Sequence, residues 1–252
     1  DIAVDPKFGT VSNYTREQML EFFAERGGDP DHPGKRNALD PLLWKRERKE
    51  DPAWDGASLG SGRPGWHIEC AVIAHTHLQA PFDVQGGGSD LLFPHHEMST
   101  DHVRLLHGAS AAPRVHAHGG MMAYEGEKMS KSLGNLVLVS KLRAAGVDPM
   151  AIRLALLAGH YRADREWTPQ LLADAQERLA RWRAAAALEA GPDAADLLRE
   201  VRQCLAADLD SPGALQAVDA WVARALAAEN AGAAHGPQLM RDLVDALLGV
   251  EL

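Results

Sequence analysis

Residues 128–132 read Lys-Met-Ser-Lys-Ser, and Leu133-Gly134-Asn135 follow them directly. The pentapeptide carries two lysines three residues apart and two small hydroxyl side chains on a glycine-flanked loop. Such a loop is a mobile cationic clamp that suits a triphosphate, because negative charge shifts there when pyrophosphate is displaced. A solvated basic loop is the alternative, but the specific pentapeptide is a stronger signal than its charge. The stretch therefore predicts an enzyme that uses a nucleoside triphosphate.

The segments around this pentapeptide alternate between helical and extended patterns over residues 66–150. We predict helices over 66–78 and 94–106, a short strand at 82–84 that runs into a glycine-rich stretch, and a β-type segment at 136–139. Alternation of this kind points to an α/β layer architecture.

The flanking regions differ from this middle part in composition. Residues 1–65 are irregular, with one helix that Thr15 begins and Gly27 ends, and a second short helix within 39–49. Residues 147–252 are rich in Ala, Leu, Arg and acids at helical spacing, which predicts an all-α bundle of about four or five helices. We therefore divide the chain into a connecting segment (1–60), an α/β part (61–146) and a helical bundle (147–252).

Composition excludes several classes of protein. The chain has 252 residues, 46% of them hydrophobic and 24% charged, with a net charge of -9 that argues against a protein devoted to gripping a phosphate backbone. No apolar run approaches the ~20 residues of a membrane span, so we expect no membrane association. Two cysteines cannot form a disulfide framework, which favours a reducing cytoplasm. The chain opens at Asp1 without Met, and we expect it to be a fragment.

Histidine and cysteine are concentrated in one stretch. Nine of the twelve histidines lie between His67 and His118. On a helix, Trp66 and Cys70 are four apart and share a face, and His95 follows in the first turn of the next predicted helix. Cysteine and histidine suit Zn²⁺, but two candidates fall short of the three ligands that a zinc site needs. A small buried cysteine without metal is the alternative, and both interpretations stay open on the residues alone.

The glycine run at residues 86–88 precedes Ser89 and Asp90. Glycines let the backbone approach a ligand closely, and the following aspartate can accept hydrogen bonds from ribose hydroxyls or from an amine. The run lacks the GxGxxG spacing, which disfavours a nicotinamide cofactor.

These motifs together resemble a known family. Residues 128–132 match the KMSKS motif of class I aminoacyl-tRNA synthetases, and residues 65–70, 86–90 and 93–97 resemble cysteinyl-tRNA synthetase in particular. The resemblance implies the C-terminal half of a class I synthetase-type Rossmann catalytic domain, followed by an all-α bundle. It also implies one zinc ion, held by Cys70 and His95, that binds the substrate cysteine, with Trp66 as a wall of that pocket. His96 would either support the zinc ligand or touch the nucleotide.

The same resemblance assigns roles around the nucleotide. It implies that Gly88, Ser89 and Asp90 contact the adenylate, with Asp90 on the ribose, and that Met122 meets adenine through its backbone. Lys128 and Lys131 would neutralise the triphosphate of Mg²⁺-ATP in the transition state, and the whole ATP-binding loop would comprise Lys128, Met129, Ser130, Lys131 and Ser132.

Three departures separate the chain from the synthetases. Ser99 stands where the synthetase has a fourth zinc ligand, a glutamate. Residues 25–30, Glu-Arg-Gly-Gly-Asp-Pro, instead resemble the actinobacterial mycothiol-pathway cysteine ligases, which join cysteine to glucosaminyl-inositol and use a three-ligand zinc site. Residues 161–252 carry nine Arg, no Lys and fifteen acids, a net of -6, whereas an anticodon-binding surface is expected to be basic.

These observations favour ATP-dependent ligation of cysteine to an amino sugar over a tRNA substrate. A cysteinyl-tRNA synthetase fragment and a catalytically inactive cysteine- or zinc-binding relative are the alternatives. The HIGH motif and the first zinc cysteine of the family do not occur in the sequence. We expect Cys204 to be a structural residue, so the third zinc ligand would come from an N-terminal part of the protein outside this chain. We also expect that these 252 residues alone do not activate cysteine.

Overall fold

The computed structural model describes residues 1–130, 133–227 and 235–252. It divides into two compact units, Asp1–Gly119 and Gly120–Leu252, each of which is described by itself. Composition suggested a boundary at 146/147, but residues 120–146 group with the helices. The reason is a strand pairing between residues 122–124 and 165–167, which ties this segment to the chain that follows it.

The first unit has three α-helices and five short strands. The helices are α1 (Arg16–Glu25), α2 (Trp66–His77) and α3 (Glu97–His107), and the strands are β1 (Trp44–Arg46), β2 (Trp54–Asp55), β3 (Ser61–Pro64), β4 (Val84–Gly88) and β5 (Val115–Gly119). Strands β1, β3 and β2 form an antiparallel sheet in that order, and β4 pairs with β5 in parallel.

Helix α1 begins and ends where the sequence predicts. The Thr15 side chain accepts a hydrogen bond from the Gln18 N–H while the Gln18 side chain accepts one from the Thr15 N–H, which is a capping box. Gly27 follows the helix at φ 84°, a left-handed conformation that glycine adopts without strain. The helix buries Met19 and Phe23 against a small core.

The helix predicted within 39–49 is wrong. Residues 44–46 instead form β1, in register with β3 from Trp44 opposite Pro64 to Arg46 opposite Gly62. Gly62 has to be a glycine there, because a Cβ would lie 2.2 Å from the Lys45 carbonyl oxygen. A long-range pairing of this kind overrides the local helical preference of so short a segment.

The parallel pair of β4 and β5 brings two glycine segments to one edge. Val84 lies opposite Val115, and Gly88 lies opposite Gly119 at the carboxyl ends of the strands. The predicted strand at 82–84 therefore starts later than expected and includes the glycine run itself. Ligands of open α/β sheets bind outside this edge, so Ser89 and Asp90 emerge where a ligand is expected.

The second unit is mainly helical. Its described residues contain α4 (Val139–Ala144), α5 (Pro149–Leu157), α6 (Pro169–Ala186), α7 (Ala195–Ala206), α8 (Ser211–Leu226) and α9 (Gly236–Leu248), with strands β6 (Met122–Tyr124), β7 (Glu127–Lys128) and β8 (Arg165–Trp167). The five helices α5–α9 match the predicted bundle. The β-type segment predicted at 136–139 is wrong, because α4 begins at Val139 and no strand among the described residues pairs with this segment.

One apolar core holds this unit together. Trp182, Val201, Leu215 and Trp221 are among its fully buried side chains. Asp219 orders the core from its edge, because its carboxylate accepts a hydrogen bond from Trp182 Nε1 at 2.7 Å and pairs with Arg178. Within the ranges that the structure describes, no helix is both long and apolar enough to cross a bilayer.

Candidate functional site

Trp66, Cys70 and His95 lie together in the first unit. Trp66 and Cys70 are one turn apart on α2, and the Trp66 side chain donates a hydrogen bond to the Cys70 thiol. The Trp66 ring also stacks on the His95 ring, with centroids 4.2 Å apart and planes 26° from parallel. Trp66 is 53% exposed, whereas His95 is buried. The Trp66 side chain therefore contacts both of the zinc ligands that the resemblance implies, Cys70 and His95.

His67 adds a second imidazole to this cluster. Its Nδ1 lies 3.0 Å from Nδ1 of His95, so one ring donates the hydrogen bond and the other accepts it. Burial, together with the charges of His95, His102 and Lys45, lowers the pKa of His67 to about 3, and burial also lowers the pKa of His95. Both rings are thus neutral at pH 7, and neutral imidazole is the form that binds metal.

The Cys70 thiol is protonated in this environment. Burial raises its pKa first, the nearby charge of Glu69 raises it further, and the hydrogen bond from Trp66 opposes them. A cation at the sulfur would reverse this preference, since a coordinating thiol loses its proton.

The donor set is chemically suited to zinc but incomplete. Across residues 1–130, 133–227 and 235–252, no three His, Cys, Asp or Glu side chains converge on one point. Ser99, at the position of the fourth synthetase ligand, has a buried hydroxyl that accepts a hydrogen bond from Gln85 Nε2 at 3.2 Å and donates to the His96 carbonyl at 3.4 Å. A zinc ion held by Cys70 and His95 would need at least one further ligand.

The segment Gly88-Ser89-Asp90 is held from outside by Arg26. One guanidinium nitrogen of Arg26 donates to the Asp90 carbonyl at 2.9 Å and also to the Phe93 carbonyl. Phe93 lies two residues before His95, at a break in helical geometry with φ -139° and ψ 137°. A single side chain of the 25–30 element thus fixes both the predicted adenylate segment and the approach to the predicted zinc ligand.

His96 faces the glycine run rather than Cys70. Its Nδ1 lies 2.7 Å from Nε2 of His118 on β5, and a Cβ at Gly87 would come within 2.9 Å of its Cε1. Burial and the neighbouring imidazoles, His118 first, lower the pKa of His96 to about 4 against the opposing charge of Asp90. His96 is therefore a neutral ring beside the strand edge.

The described part of the predicted ATP-binding loop is braced by Asn135. Ser130 N–H donates to Asn135 Oδ1 at 2.8 Å, and Asn135 Nδ2 donates to the Lys128 carbonyl at 3.2 Å. Lys128 is exposed at the end of β7, while Met129 and Ser130 are half-buried. Lys131 and Ser132 lie outside the described residues.

Met122 begins β6, half-buried, with its backbone in register with Arg165 of β8. It belongs to the second unit, together with the predicted ATP-binding loop, whereas Trp66, Cys70, Gly88 and His95 belong to the first. Cys204 is on α7, where burial and then the charges of Asp210 and Glu200 raise the pKa of its thiol.

Sequence reasoning missed two residues that the structure adds to the site. His67 contacts His95, and its only signal was its place beside Trp66 in a histidine-rich stretch. Arg26 was noticed as a letter of a family motif, but nothing in the sequence indicated that its partners are the main-chain carbonyls of residues 90 and 93.

Comparisons with known proteins show which proteins this chain is similar to. A chain of 59% identity from Sanguibacter keddieii and two of 58% from Salinispora tropica and Streptomyces griseus match over all of this chain and are named L-cysteine:1D-myo-inositol 2-amino-2-deoxy-alpha-D-glucopyranoside ligase. The predicted resemblance to cysteine ligases is confirmed. This chain spans only 60–62% of the length of these relatives.

The fold class is confirmed as well. The agnB2 LeuRS of a ternary complex with tRNA and LeuAMS, from Agrobacterium radiobacter K84, superposes with a TM-score of 0.53 at 17% identity. The likeness covers 82% of this chain and 35% of that one, and it concerns the fold alone. Residues 1–177 match the sequence family described as tRNA synthetases class I (C) catalytic domain. The chain therefore belongs to the family of class I (C) tRNA synthetase catalytic domains.

Proposed function

We propose that the whole protein joins L-cysteine to the amine of glucosaminyl-inositol, with ATP, through a cysteinyl-adenylate. The observation that carries this proposal is the name shared by relatives that are 57–59% identical over the entire chain. Because the chain covers about three fifths of those relatives, the proposal includes polypeptide outside it. The two cysteines, neither in a disulfide, fit the reducing cytoplasm that we expect for this reaction.

In the first step, the cysteine carboxylate attacks the α-phosphorus of Mg²⁺-ATP, and the bond to the β-phosphate breaks to release pyrophosphate. Lys128 and Lys131 stabilise the charge that develops on the leaving group. Gly88, Ser89 and Asp90 contact the adenylate, with Asp90 on the ribose hydroxyls, and the Met122 backbone meets adenine. The contact of Arg26 supports this assignment, because its hydrogen bond to the Asp90 carbonyl holds the backbone of this segment in place.

In the second step, the amine nitrogen of the sugar attacks the carbonyl carbon of the adenylate. The bond to the phosphate oxygen breaks, AMP leaves, and the nitrogen loses a proton as the amide forms. No covalent enzyme intermediate is needed. Catalysis by this chain is thus mainly positioning and charge stabilisation.

Cys70 and His95 would hold one zinc ion, with the third ligand from polypeptide outside this chain. Zinc, when bound, would supply a Lewis acid that prefers the cysteine sulfur to the serine hydroxyl, and this preference separates the two substrates better than the shape of a pocket does. For Nε2 of His95 to bind the metal, its Nδ1 has to donate to Nδ1 of His67, so the contact between the two rings fixes the ligating tautomer. Trp66 walls the cysteine pocket and stacks on His95.

A tRNA acceptor is disfavoured by charge. Residues 161–252 carry a net charge of -6, which repels a phosphate backbone. The KMSKS motif, whose described residues Lys128 and Ser130 are hydrogen-bonded to Asn135, disfavours an inactive relative, because such a protein does not use the motif.

The experiment follows AMP release by the full-length protein with ATP and cysteine, after addition of either glucosaminyl-inositol or cysteine tRNA. We expect release with the sugar, and serine in place of cysteine serves as the control. AMP release with tRNA but not with the sugar would indicate a cysteinyl-tRNA synthetase instead. Absence of cysteine-dependent ATP–pyrophosphate exchange would favour the inactive relative.

A further inference from the structure

A large cavity adjoins the cysteine site in the first unit. It has a volume of about 1260 Å³ and opens between the end of α1, residues 32–48 and the start of α2. Trp66 and His67 form one end of it, and both of these side chains also contact His95. The cavity therefore begins beside the residues assigned to the cysteine pocket.

We propose that this cavity binds the acceptor, a polyhydroxylated amino sugar, an inference that rests on the proposed function. The acceptor amine has to come within about 3–3.5 Å of the cysteinyl carbonyl carbon to react. Its rings must then occupy a space that begins at the cysteine pocket, and this cavity begins at Trp66. The volume accommodates the two six-membered rings of such a compound, since ligand pockets commonly measure about 300–1000 Å³.

Several charged side chains in the wall of the cavity are already engaged by other groups of the chain. Asp40 accepts hydrogen bonds from the backbone N–H groups of Ile2 and Asn37, both at 2.9 Å. Lys35 lies 4.4 Å from the centre of the Phe23 ring. Arg26 is bound to two carbonyls, as described above. These groups shape the cavity, and each of them already contacts another part of the chain.

Asp29 and Arg36 differ from those residues. Both line the cavity, both are exposed, and neither side chain has a hydrogen-bond partner within the described residues. A carboxylate accepts hydrogen bonds from adjacent hydroxyls and a guanidinium donates two parallel ones, which are the contacts that a polyol offers. The indoles of Trp44 and Trp66, also in the lining, supply flat apolar faces for a sugar ring.

The motif that separates this chain from the synthetases forms part of this wall. Residues 26–29 of the Glu-Arg-Gly-Gly-Asp-Pro element line the cavity. Residue 28 is a glycine because a Cβ there would lie 2.5 Å from the Phe23 ring. Without a side chain at this position, the backbone can run close to the ring and place Asp29 in the wall of the cavity. The relatives are named for an amino-sugar acceptor, whereas the family is named for tRNA. A sequence element that distinguishes the two is therefore expected at the site that binds the acceptor.

The test uses Asp29→Asn and Arg36→Gln in the full-length protein, with Asp31→Asn as the matched control. Asp31 is also exposed but does not line the cavity. Cysteine-dependent ATP–pyrophosphate exchange reports the first step, and acceptor-dependent AMP release gives the KM for glucosaminyl-inositol. We expect exchange to stay within about twofold of wild type and the acceptor KM to rise about tenfold in each cavity variant, the loss of one charged hydrogen bond.

The outcomes separate the two proposals. An unchanged acceptor KM in both variants, with the sugar still used, overturns the cavity assignment and leaves the ligase reaction standing. Loss of exchange in the variants also overturns it, because the residues would then act in the first step. A wild-type protein that releases AMP with tRNA instead of the sugar overturns the proposed function and the acceptor assignment with it.

Discussion

At the scale of single residues, Arg26 connects parts of the chain that are far apart in sequence. Its guanidinium donates hydrogen bonds to the carbonyls of Asp90 and Phe93, and the guanidinium carbon lies 4.5 Å from the centre of the Phe22 ring. Charged hydrogen bonds to buried carbonyls are worth about 1.5–3 kcal/mol each. Arg26 is thus a positioning residue for the Asp90 segment.

Lys131→Ala should lower the rate of cysteine activation far more than it weakens cysteine binding. The lysine is proposed to act on the charge of the leaving pyrophosphate, which develops only in the transition state, so the loss belongs in kcat. We expect the rate of ATP–pyrophosphate exchange to fall about 10²–10³-fold. Lys141→Ala, an exposed lysine on α4, is the control. An equal loss in cysteine affinity and in rate would contradict the assignment.

Glu97→Gln should destabilise the first unit. The fully buried carboxylate accepts hydrogen bonds from the N–H groups of Gly9 and Ser12, and from the Ser12 hydroxyl at 2.8 Å. An amide nitrogen in that position faces donors and leaves them unsatisfied, at a cost of about 2 kcal/mol. Urea unfolding measures this, with the exposed Glu21→Gln as the control. A loss no larger than the control's would mean that the 9–12 loop is ordered by other contacts.

At the scale of elements, α3 carries a polar stripe into the protein. Glu97 and Asp101 are one turn apart and buried. Burial first, and then the hydrogen bond and charge of Asp5, raise the pKa of Asp101 from 3.8 to about 7. The Asp5 pKa stays low in spite of burial, because the Lys7 N–H, Asp101 and Arg104 all bond its carboxylate. The proton of this pair therefore sits on Asp101.

This proton makes stability depend on pH in a defined direction. Between about pH 4 and 7 the Asp101 carboxyl is ionised in the unfolded chain but protonated in the folded one, so the free energy of unfolding falls as pH rises through that window. Asp101→Asn removes this dependence. We expect the variant to match wild type near pH 4 and to exceed it in stability at pH 8, as measured by urea unfolding. Parallel pH profiles for the two proteins would place the proton elsewhere.

The elements that the sequence predicts correctly are those with strong local signals. Thr15 and Gly27 frame α1, and the helix of α2 follows from its apolar spacing. Residues 136–139 misled because a short β-type run without a partner strand among the described residues does not become a strand. Residues 44–46 misled because so short a segment takes its conformation from a distant partner, here β3. The strand β8 was missed for the same reason, since Arg165–Trp167 becomes a strand only by pairing with β6, 43 residues earlier.

At the scale of the whole molecule, the family motifs fall in both units, with the predicted zinc ligands in the first and the KMSKS segment in the second. The i, i+4 spacing anticipated that Trp66 and Cys70 share a face, and family motifs named the residues of each part. The contacts that orient them, from His67 and Arg26, depend on tertiary packing and on backbone acceptors, which carry no residue-specific signal in one sequence.

The second unit should fold without the first. Its main apolar core is drawn from residues 151–250, including the buried Trp182 and Trp221, and all of its members lie after Gly120. We expect a fragment of residues 120–252 to give a helical circular dichroism spectrum and one cooperative thermal transition. A fragment that shows no such transition would mean that residues 1–119 are required for this core to form.

The contacts of Arg26 have a consequence for how such proteins diverge. Its acceptors are main-chain carbonyls, which every amino acid supplies, so substitutions at positions 90 and 93 leave the interaction chemically intact. Positions joined by side chains exchange compensating substitutions, and sequence covariation detects them. The link from 26 to 90 and 93 leaves no such trace. Methods that infer contacts from correlated evolution are therefore expected to find no partner for position 26.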